Sequence, residues 1–130
     1  MALVIDLKPS ERIIIGTALV TNDAARPARL RIEGNAAILR EKDIMRESDA
    51  VSPCKKIYLA IQLMYLSPDP KSLHQTYFDM VRDIQAAAPS TALFFAKINE
   101  HLLKDEYYKA LKEARHLMEY EKEIIANVQQ

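Results

Sequence analysis

The stretch Ser52-Pro53-Cys54-Lys55-Lys56-Ile57-Tyr58-Leu59-Ala60-Ile61-Gln62-Leu63-Met64-Tyr65-Leu66-Ser67-Pro68 separates two kinds of sequence. Serine followed by proline reads as a helix start: the hydroxyl can accept from an unpaired amide of the first turn, and proline at the first helical position has no N–H to leave unsatisfied. From Ile57 to Leu66 apolar side chains fall nearly all round, so this helix is expected inside a packed unit. Ser67-Pro68 stops it. Upstream the apolar pattern has a period of two; downstream its spacing is three and four.

Working back from Ser52, the chain reads as a meander of about four short strands. Leu3, Ile5 and Leu7 alternate with Val4, Asp6 and Lys8, and Pro9-Ser10-Glu11 supplies turn residues. Residues 12–21 form an almost continuous β-branched run that suits a central strand, with Gly16 marking a bulge or a close approach. Residues 22–27 are polar and turn-like. Arg29-Leu30-Arg31-Ile32-Glu33 alternates strictly, and Gly34-Asn35 reads as a two-residue hairpin returning through residues 36–39.

Forward of Ser67 the chain is helical. Asp69-Pro70 repeats the cap-then-proline signal ahead of a stripe of Leu73, Tyr77, Val81, Ile84 and Ala88; Pro89 ends it, and Ser90 is placed to cap a third helix. Residues 91–127 contain neither Gly nor Pro, and Asp105 is the expected N-cap if that run breaks. Beyond it Tyr107, Leu111, Ala114, Met118 and Ile125 form one stripe, and Leu103, Ala110, Leu117 and Ile124 form its neighbour. A face that wide must pack on this chain, on a second copy or on another protein. The expected fold is α+β: one domain over residues 1–130, with an antiparallel sheet in 1–50 and three or four helices in 52–127, the last long and amphipathic.

Composition narrows function. The chain of 130 residues has 18 Lys+Arg against 18 Asp+Glu, and the balance holds in each part, 8 against 8 to residue 50 and 10 against 10 beyond it. A net-basic domain that grips nucleic acid by charge alone is excluded. With two glycines there is no Gly-rich phosphate loop. His74, His101 and His116 lack metal-ligand spacing, and the lone Cys54 has no partner for a disulfide. Cys54 reads as a small buried side chain or, at a helix start, as an activated thiol. Glu119, Glu121 and Glu123 read as a solvated helix face. No catalytic residue, metal site or cofactor is expected, and with no signal peptide or membrane-length apolar run the expected location is cytoplasmic.

The basic residues are informative by placement. Residues 26–56 hold eight, Arg26, Arg29, Arg31, Arg40, Lys42, Arg46, Lys55 and Lys56, against five acids, a local excess of three. Arg29 and Arg31 project from one strand face roughly 6.6 Å apart, near the spacing of successive phosphates on a single strand. Readers of single-stranded RNA normally add aromatic platforms, and residues 26–56 have none. The segment therefore reads either as a solvated edge strand or as an RNA contact.

Five further features share one resemblance. Leu39-Arg40-Glu41-Lys42-Asp43-Ile44-Met45 after a short β segment, Lys56-Ile57-Tyr58 leading into Gln62-Leu63-Met64-Tyr65-Leu66, Tyr107-Tyr108-Lys109-Ala110-Leu111, Leu117-Met118-Glu119-Tyr120-Glu121, and the opening Leu7-Lys8-Pro9 together resemble the FlbT family of flagellar regulators. The resemblance implies post-transcriptional control of flagellin through the 5′ leader of its mRNA, with the helical protein FlaF and flagellin as further partners and no catalysis. Its alternative is a protein–protein adaptor or chaperone-like module without direct RNA contact. Under that alternative, Tyr107, Leu111, Ala114 and Met118 are the expected partner interface, and a homo-oligomer through the C-terminal helices is open.

Overall fold

The computed structural model describes residues 2–129, with side chains to residue 126. The chain forms two compact units, Met1–Ile44 and Met45–Gln130. The division falls ahead of Ser52 because Met45 belongs with the helices: its amide donates to Gln62 Oε1 at 2.7 Å, and its carbonyl accepts from Gln62 Nε2 at 3.0 Å.

The first unit contains β1 (Ala2–Leu7), β2 (Arg12–Ile15), β3 (Ala18–Thr21), β4 (Ala28–Glu33) and β5 (Ile38–Arg40). They make two small antiparallel sheets, β1–β4 and β3–β2–β5, rather than a single meander. Two local expectations give way. The run over residues 12–21 is two strands, because Gly16 takes a φ of +63° and folds β2 back on β3. Gly34-Asn35 does not close a β4–β5 hairpin: β4 pairs with β1, Ile5 opposite Leu30 and Asp6 opposite Arg29, while β5 pairs with β2. The apolar alternation explains the choice, since Ile5, Leu7, Leu30 and Ile32 from one sheet then meet Ile13, Ile15, Val20 and Ile38 from the other in one core.

Asn22 ties the turns of this unit. Its buried side-chain amide donates to the carbonyls of Leu7 (3.1 Å), Lys8 (3.2 Å) and Arg26 (2.9 Å), and its Oδ1 accepts from the Ala24 amide (3.1 Å). Its backbone bridges Ser10 and Glu11. One side chain thereby ties the end of β1 and the following loop to the loop that precedes β4.

The second unit contains α1 (Pro53–Leu66), α2 (His74–Ala87), α3 (Ala92–Leu103) and α4 (Tyr107–Gln129). Ser52 caps α1 as expected, accepting from the Lys55 amide at 3.3 Å. The other starts differ. Asp69-Pro70 and Pro89 each open a 3-10 turn, neither Asp69 nor Ser90 caps a helix, and Ser90 Oγ instead accepts from Tyr120 at 2.6 Å. The long Gly- and Pro-free run breaks at Asp105, though not through an N-cap. Asp105 takes a φ of +59° just past α3, where its amide and that of Glu106 bond back to the carbonyls of Leu102 and His101. That pattern closes a helix C-terminus and reverses the chain.

The buried side chains run as an internal seam: Ile57, Tyr58 and Ile61 of α1, Tyr77 and Val81 of α2, Phe95 and Ile98 of α3, and Ala110, Leu111, Ala114 and Leu117 of α4. α4 packs chiefly on α1 and α3. Burial also discriminates among leucines: Leu111 is 3% exposed and Leu93 77%. Leu111→Asp should destabilise the chain by about 3 kcal/mol or more in denaturant unfolding. Leu93→Asp, a change of the same chemistry, should shift it by about 0.5 kcal/mol or less. In the first unit, Asn22→Ala should cost about 1–3 kcal/mol by leaving carbonyls unpaired.

Candidate nucleic-acid interface

Alternation in β4 turns Leu30 and Ile32 to the core and leaves Arg29, Arg31 and Glu33 exposed, so the two arginines share one outer face. On the paired strand Asp6 lies opposite Arg29, Val4 opposite Arg31 and Ala2 opposite Glu33. The face is compensated rather than basic. Arg29 Nε reaches Asp6 Oδ1 at 2.9 Å, and Arg31 Nε reaches Glu33 Oε1 at 2.9 Å. Two cations against two carboxylates leave no net charge. The Arg29 guanidinium, by hydrogen bond and then by charge, holds the Asp6 carboxyl below the usual carboxylate range, and Arg40 adds to the pull. All four partners are well exposed, and such pairs contribute little to stability.

The remaining basic residues are spread out. Arg40, on β5, donates from Nη2 to the Asp6 carbonyl at 3.2 Å, and its buried Nε has no protein acceptor. Arg29 and Arg40 therefore meet at Asp6, while Arg31 is held by Glu33. Arg26 lies exposed in the β3–β4 loop, and Lys42 lies exposed in a 3-10 turn (Glu41–Asp43); neither makes an ion pair among the described residues. Arg46, Lys55 and Lys56 belong to the helical unit. Arg46 is held by Asp49 at 3.0 Å, Lys55 is half-buried in the first turn of α1, and Lys56 is exposed. Arg12 joins the basic residues of the first unit, bound to Glu41 at 2.8 Å.

Tyr107, Leu111 and Ala114 are buried inside the helical unit, and Met118 is half-buried. The buried side of this part of α4 packs chiefly on α1 and α3. The Tyr107 hydroxyl, 3.0 Å from His74 Nε2, is raised in pKa by burial and then by Asp105. Glu121 departs from the solvated reading. It accepts from Ser52 Oγ and, at 3.0 Å, from the Cys54 amide, so it holds the amino end of α1. Cys54 is buried, and burial, followed by the Glu121 charge, pushes its thiol to about 12. That is the opposite of an activated thiol. Among the described residues no group of three or more His, Cys, Asp or Glu is placed to hold a metal, and no helix is long and apolar enough to cross a membrane.

The family model described as "Flagellar protein FlbT" matches residues 3–125. The chain belongs to the FlbT family. It is 50% identical over 125 residues to FlbT 1 of Bradyrhizobium diazoefficiens, covering 95% of this chain and 85% of that protein. FlbT of Rhodopseudomonas palustris is 40% identical, over 97% of this chain and 99% of its own. The Caulobacter vibrioides protein named flagellum biosynthesis repressor protein FlbT is 30% identical, over 98% of this chain and 92% of its own. No solved structure matches.

The geometry of this FlbT-family chain has two readable consequences. In a carboxyl NMR titration, Arg29→Ala should return the Asp6 pKa upward toward 3.8, its ordinary value. The Arg29–Asp6 contribution is complete above that ordinary value and is lost as pH falls through the lowered one. The thiol of Cys54 should resist alkylation by iodoacetamide at pH 8 in the native protein and react once the protein is unfolded, because only the thiolate attacks.

Proposed function

We propose that this FlbT-family chain represses flagellum biosynthesis after transcription, by associating with the 5′ leader of flagellin mRNA and altering its translation or stability. The family supports a regulatory role in flagellar synthesis, and the names of the Caulobacter protein and its relatives supply the sign. The observation that carries the RNA step is the outer face of β4, where Arg29 and Arg31 stand exposed two residues apart, a backbone rise of roughly 6.6 Å that is near phosphate spacing. Their present partners are surface carboxylates. A phosphodiester strand that meets both guanidiniums at once can replace Asp6 and Glu33, because exposed, solvent-screened pairs are weakly held. Arg40, which donates to the Asp6 carbonyl, and Arg26, Lys42, Arg46, Lys55 and Lys56 are further candidate contacts. The reading requires no catalysis and no cofactor, and it places the protein in the cytoplasm with the message.

A neutral face gives little long-range steering. This favours short-range exchange over electrostatic capture, and it keeps a second reading in play: an adaptor that acts through flagellin or FlaF without touching RNA. Salt separates the two. Leader-RNA binding through Z phosphates should fall with log[salt] at a slope of about −0.7Z, whereas apolar docking should barely respond. Replacing Arg29 and Arg31 together should leave folding within about 0.5 kcal/mol, weaken leader binding and make the slope shallower by about 1.4. Asp6→Asn and Glu33→Gln should each strengthen binding by freeing an arginine. Unchanged affinity and slope in the folded double variant would remove this face as the RNA site.

A further inference from the structure

The apolar stripes of α2 and α4 are longer than the seam that buries them. Ile84 and Ala88 at the end of α2 are only half-buried, as is Ile124 of α4, and Ile125 is 46% exposed. Between these ends, with Pro53 and Cys54 of α1 as its floor, lies a groove of about 360 Å³ within the helical unit. It stays open because Ala87 and Ala88 carry too little side chain to fill it. Its charged groups are acidic: Asp83 on the α2 side and Glu121 on the α4 side, with no basic residue in the lining; the Thr91 hydroxyl is spent on the Ala88 carbonyl. Glu121 is already spent on Ser52 Oγ and the Cys54 amide. Asp83 is exposed and makes no ion pair among the described residues, although Lys56 lines the adjoining depression with it.

We propose that this groove docks an amphipathic helix of a partner protein, which inserts two apolar side chains one turn apart and sets a lysine or arginine against Asp83. The walls have that length: Ile84 to Ala87, the last turn of α2, and Glu121 to Ile125 of α4 span roughly 4.5 and 6 Å of helix, and side chains four apart on a docking helix stand about 5–6 Å apart. The free carboxylate at the rim selects the cation and works against a phosphodiester strand. This site is independent of Arg29 and Arg31, so its failure leaves the leader-binding reading where it stands.

The test uses the full chain and two stapled, fluorescein-labelled helices. Each carries leucines one turn apart; one has a lysine beside them and its twin a glutamate. Anisotropy titration should show the lysine peptide bound about fivefold more tightly than its twin, the preference reversing in Asp83→Lys. Ile125→Glu should weaken both peptides about tenfold at unchanged melting temperature. Absence of binding, equal affinity for the two peptides, or a lysine preference that survives Asp83→Lys would each overturn the proposal. A sedimenting dimer that Ile125→Glu disperses would also overturn it, assigning the groove to a second copy.

Discussion

The helical unit depends on one carboxylate. α1 is its central element, and the first turn of any helix leaves amide hydrogens without intrahelical acceptors. Ser52 accepts one, from Lys55, and Glu121 accepts another, from Cys54, while also taking the Ser52 hydroxyl. A negative charge at that position is favoured by the partial positive charge of the helix start. The same contact fixes where α4 crosses α1. It accompanies the burial of Cys54, which together with the Glu121 charge suppresses thiolate formation, and it sets Glu121, Ile124 and Ile125 along one wall of the apolar groove.

The strand unit obeys a different constraint, charge compensation across a register. Pairing β4 with β1 places Asp6 beside Arg29, and Glu33 sits two residues from Arg31 on the same face. A chain with equal numbers of acids and bases could still carry a basic surface; here the outer face of this sheet is balanced too. The proposed repression through a message leader would exchange weak intramolecular partners for phosphates. A role through proteins would instead use the unfilled end of the helical unit. The two surfaces lie in different units of the chain and have different chemistry, one ionic and one apolar.

What the sequence makes legible is what local rules determine. Ser52-Pro53 and the all-round apolar run give α1 to the residue, and the alternation of Leu30 and Ile32 with Arg29 and Arg31 gives the two faces of β4. The exposure of both arginines was readable for the same reason. The rest required partners far apart in sequence. Gly34-Asn35 is a sound local hairpin signal, overruled because pairing β4 with β1 buries more apolar surface in one core. Asp6 lies 23 residues from Arg29, and Glu121 lies 67 residues from Cys54, so neither the neutral face nor the helix tie shows in a local pattern. Asp105 was recognisable as a break but not as a left-handed residue, since aspartate both caps helices and tolerates positive φ.

Control through the flagellin leader is the central claim, and it is tested most directly in cells. A reporter translated from the flagellin leader, under a constant promoter, is measured with and without the gene for this chain, beside a twin carrying an unrelated leader. The account predicts that loss of the gene raises output from the flagellin leader alone. An equal change in both reporters, or no change in either, would contradict it.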